Sequence, residues 1–296
     1  MNIRAWVSKR VPDNWLALVV IALLFSAPIY LWFNPPNFLG YVNYLPYHSP
    51  TQNLLLVFVV PVTLAAQRAI VPQPLRDAHI RFVFIMTSAI SVVLMTLSKP
   101  SHSIALLPAL ALVALYRVVR RLPVDWSALV FGFGLPSLLT LALQYLVTYT
   151  ASQAAAIEVG WLVFFRFYGL QWWDVAARLV LSALFPLTVY CLYFKEAAKD
   201  DLLNFSWIIF GISLVWSHFF YESGARLGHG NFTWSASAAL FVLMVSSIIF
   251  LLRNETFSTF SPRLKAAVAI LAFHVISGVA APSAILLSAF VARLSG

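Results

Sequence analysis

The sequence predicts an all-α protein: a polytopic transmembrane helical bundle of about nine spans, with the N-terminus on the cytoplasmic side and a single domain covering residues 1–296. Three observations predict it. Hydrophobic residues make up 61% of the chain and charged residues only 10%, a balance foreign to soluble domains. Apolar runs approaching or exceeding the ~20 residues that cross a bilayer recur from end to end. Lysine and arginine collect in alternate breaks between those runs.

Taken in order, the apolar runs fall at 15–33, 53–70, 82–98, 104–118, 127–149, 175–194, 204–221, 235–252 and 266–292. The first could pass for a signal peptide, but the small-residue site FSA runs directly into Pro28, so it reads as an uncleaved span. Pro61, Pro108, Pro136, Pro186 and Pro282 fall inside runs, which a membrane bundle tolerates where neighbours re-satisfy the freed carbonyls. The single Cys191 lies within an apolar run, which rules out a disulfide framework or a cysteine metal site.

With the N-terminus inside, the inward breaks carry Arg4, Lys9, Arg10, Arg68, Arg76, Arg81, Arg117, Arg120, Arg121, Lys195, Lys199, Arg253, Arg263 and Lys265. The outward breaks keep only Lys99, Arg166, Arg178, Arg226 and Arg293 of the nineteen cations. The net charge of +9 thus follows from topology and anionic inner-leaflet lipid, and calls for no nucleic-acid partner. Insertion does not account for Lys99 in LMTLSKPSHSIALLPAL.

The outward segments hold most of the remaining polar residues. The first, NPPNFLGYVNYLPYHSPTQ, is uncharged and ends near His48. The second is KPSHS, with Lys99 and His102. The third is aromatic, and its middle, 157–173, reads as an interfacial helix anchored by Trp161, Trp172 and Trp173. The fourth, HFFYESGARLGHGNFTW, gathers His218, Glu222, Arg226, His229, Asn231 and Trp234. Ionisable residues at the mouth of a bundle are costly and often functional. Each also has a plainer reading. The tryptophans suffice as anchors, Glu222 and Arg226 as a helix-end ion pair, the glycines as a tight turn, His79 as a solvated residue and His274 as a hydrogen-bonded packing residue.

LSKPSHSIALLPALALVALYR resembles a stretch of the GT-C superfamily of membrane glycosyltransferases, in which a K-P break precedes an apolar run containing L-P. Lys99, Pro100 and Pro108 match that arrangement, and YLPYHSPT resembles a Y-H-x-P-T segment of bacterial polysaccharide-cluster proteins. The resemblance implies a transferase of surface-polysaccharide or glycolipid assembly in the bacterial inner membrane, drawing its sugar from a polyprenyl-phosphate carrier and passing it to a glycan or lipid acceptor. It implies that Lys99 meets the carrier phosphate on the periplasmic side, with Arg226 as a second cation and Asn231, Trp234 and Trp173 at the sugar. The acceptor's base would come from Glu222, His229, His48 or His102, in that order. Family members keep an acid in the first outer loop; residues 34–52 hold none, so either it comes from Glu222, Glu158 or Asp174, or the chain is a non-catalytic or diverged relative. No cofactor is assigned, and a divalent metal stays open. A polysaccharide polymerase or ligase, and a non-catalytic or transport component of the same machinery, remain open alternatives. An intramembrane protease does not, because its second acid is missing beside Glu222.

Overall fold

The computed structural model of the chain describes residues 13–30, 39–43, 49–72, 77–149, 156–255 and 260–294. It is almost wholly helical. The elements are α1 (Asp13–Phe25), α2 (Pro50–Ile70), α3 (Ala78–Ser98), α4 (Ser103–Val119), a π-helical turn (Ala128–Gly134) leading into α5 (Leu135–Tyr149), β1 (Ile157–Val159) and α6 (Val163–Phe167). Then follow α7 (Trp172–Ser182), α8 (Leu184–Leu192), α9 (Phe194–Ala197), α10 (Asp201–Phe219), β2 (Phe220–Glu222), a 3-10 turn (Gly224–His229), α11 (Thr233–Asn254) and α12 (Pro262–Leu294).

Among the described residues, six helices are long and apolar enough to cross a membrane, and the bent pair α7–α8 makes a seventh. The chain is therefore an integral membrane protein. Each of the nine apolar runs contains helix, and six of them reach the length expected of a span. Leu16–Phe25 and Ser103–Val119 fall short of that length, and α7 meets α8 at 64°. The bend has a local cause. Pro186 lacks the N–H that would bond the Ser182 carbonyl, and its ring crowds that carbonyl. Pro136 acts similarly on the preceding turn, where the Leu135 N–H reaches back five residues to the Val130 carbonyl. Polar residues placed just before the apolar runs start several helices. Ser49 caps α2, Asp77 caps α3 through the His79 N–H at 2.8 Å, and Asp200 caps α10 through the Leu203 N–H at 2.8 Å.

The chain divides into two compact units. The first comprises Met1–Leu45, Tyr168–Ala198 and Met244–Gly296. At its centre, the backbone between Ser26 and Tyr30 leaves helical form after α1 and is stitched to α12. The Ala27 N–H donates to the His274 carbonyl at 3.0 Å, the Ser277 hydroxyl donates to the Pro28 carbonyl at 2.7 Å, and the Tyr30 N–H donates to Ser277 Oγ at 3.1 Å. The His274 ring, fully buried, closes the stitch. The Phe185 N–H donates to Nε2 at 3.3 Å, so Nε2 is unprotonated and Nδ1–H donates to the Ala27 carbonyl at 2.6 Å. One neutral imidazole thus satisfies backbone groups freed at two helix breaks. Water cannot reach those groups, so leaving them unpaired would be costly. The approach of α12 to α1 is close enough to demand glycine: a Cβ on Gly278 would lie 1.8 Å from the Phe25 carbonyl oxygen.

The second unit comprises Pro46–Phe167 and Lys199–Leu243. Here α3 packs against α2, α5 and the π-helical turn, while α4 packs against α10. Leu55, Val59, Val92, Met95, Leu106, Phe133, Leu203 and Ile209 fill the interior. Ile80, Phe82, Met86, Ile90, Leu94 and Leu97 leave one side of α3 apolar and exposed, as a lipid-facing helix requires. The helices are directional markers. On α3, Arg81 stands in the first turn and Lys99 caps the last, about 27 Å apart at 1.5 Å per residue. Arg81 pairs with Asp125 at 2.6 Å, and Arg68 and Arg117 stand in the last turns of α2 and α4. Arg68, Arg81 and Arg117 therefore gather at the end of this unit opposite Lys99.

The interfacial helix expected over 157–173 does not form. Ile157, Glu158 and Val159 instead pair antiparallel with Glu222, Tyr221 and Phe220. The Gly160 and Leu162 N–H groups then donate to the Phe219 and His218 carbonyls at 2.8 and 2.7 Å. A Cβ at Gly160 would meet Val163 Cγ2 at 2.7 Å, so this corner too needs glycine. Only Val163–Phe167 is helical before α7 begins at Trp172. Trp161, Trp172 and Trp173 are nonetheless exposed, as anchors would be.

Candidate functional site

The short β1–β2 ladder, the end of α3 and the start of α4 surround a cavity of about 390 Å³ in the second unit. Its polar lining is Lys99, Gln144, Glu222, Arg226 and Asn231, with Ser101 and Thr148. Its apolar lining includes Ile104, Leu141 and Phe232. These positions are scattered through the chain. They meet because α3, α5 and α10 end where α4 and α11 begin, all at the Lys99 end of the bundle.

Lys99 occupies the C-cap of α3, with its N–H donating to the Met95 carbonyl at 3.1 Å. Its half-buried ammonium lies over the Trp234 ring, 3.9 Å from the centroid. Trp234 thus acts on the cavity through Lys99. Burial lowers the Lys99 pKa to about 8, so the side chain is still mostly cationic at neutral pH. The break that carries it is fixed from behind. Thr96 and Ser103 hydroxyls bond at 2.6 Å, and Gln144 Nε2 donates to the Thr96 carbonyl at 2.9 Å.

Glu222 is buried, with its side chain 3% exposed. Its Oε1 lies 3.4 Å from Nε of Arg226, and its Oε2 accepts a hydrogen bond from Nδ2 of Asn231. The four-residue spacing of Glu222 and Arg226 does make an ion pair, though not at a helix end. Glu222 closes β2 and Arg226 sits in the 3-10 turn.

The other candidate residues fall elsewhere. His229 is exposed in the 3-10 turn and does not line the cavity. His102 is fully buried and faces α2. The Thr63 hydroxyl donates to the Val59 carbonyl at 2.7 Å, so it is His102 Nε2–H that donates to Thr63 Oγ1 at 3.2 Å. Burial holds this imidazole well below its ordinary pKa, and its Nδ1 has no hydrogen-bond partner among the described residues. His48 lies outside the described residues. Trp173 belongs to the first unit, where it is exposed beside Trp172 and does not line the cavity. Of the two further acids, Asp174 closes a capping box with Gln171 at the start of α7. Glu158 is exposed and accepts from the Tyr221 hydroxyl at 2.6 Å, which holds its carboxyl below the usual range. Glu222 is therefore the one acid of the sequence set that lines the cavity.

Gln144 went unread in the sequence. Its signal was available: it is the single amide within the apolar run LLTLALQYLVTY. Among the described residues, no three His, Cys, Asp or Glu side chains gather as metal ligands. No known protein family, curated protein or solved structure matches the chain.

Proposed function

We propose that this cavity docks the anionic head of a polyprenyl-phosphate-linked sugar, and that the protein is a membrane glycosyltransferase of bacterial surface-polysaccharide or glycolipid assembly, working at the extracytoplasmic face of the inner membrane. The observation that carries the reading is the presence of two cations, Lys99 and Arg226, in the lining of one cavity beside an apolar wall. An amphiphile with one phosphate and a hydrocarbon chain fits that division. The cations meet the phosphate, and Ile104 and Leu141 offer apolar surface to the chain beyond it. On transfer, the acceptor hydroxyl oxygen bonds to the anomeric carbon as the bond between that carbon and the phosphate oxygen breaks, and the hydroxyl proton passes to the departing phosphate or to water. The electron pair stays with the phosphate, so negative charge grows where fixed cations can stabilise it. The clustering of Arg68, Arg81 and Arg117 at the far end supports an inward orientation for that end.

The test has two parts. Reporter fusions after residue 101 and after residue 228 are expected to report export, and a fusion at residue 123 a cytosolic site. Lys99→Ala and Arg226→Ala are expected to abolish the glycan product in cells while the protein still accumulates in the membrane. Unchanged glycan in both variants would refute the catalytic reading. Movement of a lipid-linked glycan across proteoliposomes without modification of an acceptor would favour the transport component instead.

A further inference from the structure

The carboxylate of Glu222 holds two ends of one loop. The chain leaves Glu222, turns through Gly224 at φ +64°, passes Arg226 in the 3-10 turn, and returns through Gly230 at φ +56° to Asn231. Arg226 and Asn231 then reach back to opposite oxygens of the same carboxylate. The return point is fixed as well, since a Cβ on Gly230 would meet Phe164 Cζ at 2.5 Å. The Arg226 side chain remains about 30% exposed, so its placement at the cavity depends on what it is tied to.

We propose that Glu222 is a positioning residue. It clamps the 223–231 loop so that Arg226 is presented to an anion in the cavity, and it does not serve as the acceptor's base. The inference rests on the anion-docking reading and adds a role to it. Two effects of removing this carboxylate have opposite signs. Glu222 places a negative charge beside the anion, so by Coulomb's law alone its loss makes the site more cationic and tightens anion binding. If the carboxylate clamps Arg226, its loss frees a long side chain and a loop that must be ordered again on binding, and anion binding weakens. Glu222→Gln separates charge from geometry. Its amide oxygen still accepts a hydrogen bond from Asn231 or Arg226, while the basic carboxylate is gone.

The experiment measures binding of methyl geranylgeranyl phosphate, a phosphodiester of fixed charge, to the full chain in lipid nanodiscs, together with amide hydrogen exchange across 223–231. Glu222→Ala is expected to weaken binding about tenfold and to speed exchange in the loop. Glu222→Gln is expected to stay within about threefold of the wild type, to keep the loop protected and to retain glycan product. The proposal is overturned if Glu222→Ala binds as tightly as the wild type or tighter, or if Glu222→Gln binds normally yet yields no product, which would make the carboxylate the base. Failure of the wild-type protein to bind the diester would count against the docking reading. The clamp would then stand or fall on exchange, and unchanged protection in Glu222→Ala would refute it.

Discussion

Replacing Trp234 with leucine should change the pH at which the cavity loses its affinity for anions. Among the described residues Lys99 has no carboxylate partner; its ammonium rests 3.9 Å from the Trp234 ring centroid, half-buried, at a pKa of about 8. A partly desolvated cation over an indole is stabilised by about 1–2 kcal/mol, and only while it is charged. Leucine keeps apolar bulk at the position but has no negative ring face. Since one pKa unit corresponds to about 1.4 kcal/mol, the Lys99 pKa should fall by about one unit. The sign for binding follows. An anion needs Lys99 protonated, so affinity is flat below the lysine's pKa in the free protein and falls up to tenfold per pH unit above it. Titrating methyl geranylgeranyl phosphate binding in nanodiscs should show the fall beginning near pH 8 in the wild type and about one unit lower in Trp234→Leu. Lys99→Arg, whose guanidinium stays charged throughout, should bind with no alkaline fall in this range. Coincident curves for wild type and Trp234→Leu would refute the argument, as would an alkaline fall that persists in Lys99→Arg.

Other consequences lie in the first unit. His274→Leu leaves the Ala27 carbonyl and the Phe185 N–H without their partners in an apolar interior, at about 1–3 kcal/mol each. Thermal unfolding in nanodiscs should show a clear drop in midpoint, and a midpoint within about a degree of wild type would sink the stitch. Gly278→Ala drives a methyl group into the Phe25 carbonyl and should prevent accumulation in the membrane fraction. In the second unit, Gly211→Ala, where a Cβ meets nothing within 4 Å, should accumulate normally when both variants are compared by immunoblot of the membrane fraction.

The two classes of outcome reflect what a sequence can carry. Helices in this chain were legible because a bilayer leaves the backbone no alternative to internal hydrogen bonding, so an apolar run is nearly always helix. Whether such a run crosses the membrane was not legible. The run at 175–194 bends at Ala183, and the Phe185 N–H near that bend is met by His274, 89 residues away. No local pattern encodes a partner at that distance. The candidate site divides in the same way. Glu222, Arg226 and Asn231 stood out because polar residues in so greasy a chain are conspicuous. That Lys99 rests on Trp234, and that Gln144 closes the wall behind it, are contacts between segments far apart in sequence.

The aromatic stretch at 157–173 shows a different failure. Its tryptophans and phenylalanines suggest an amphipathic helix at the interface. The residues I-E-V carry period 2, with β-branched Ile157 and Val159 flanking Glu158, and F-Y-E at 220–222 is their mate. Glu158 stands opposite Tyr221 and accepts its hydroxyl, a cross-strand pair of the kind that stabilises short ladders. Three residues are too few for periodicity to announce a strand. Yet this ladder sets Ile157 opposite Glu222, both in the lining of the cavity. The weakest sequence signal in the chain therefore belongs to the element that brings the buried carboxylate to the mouth of the bundle.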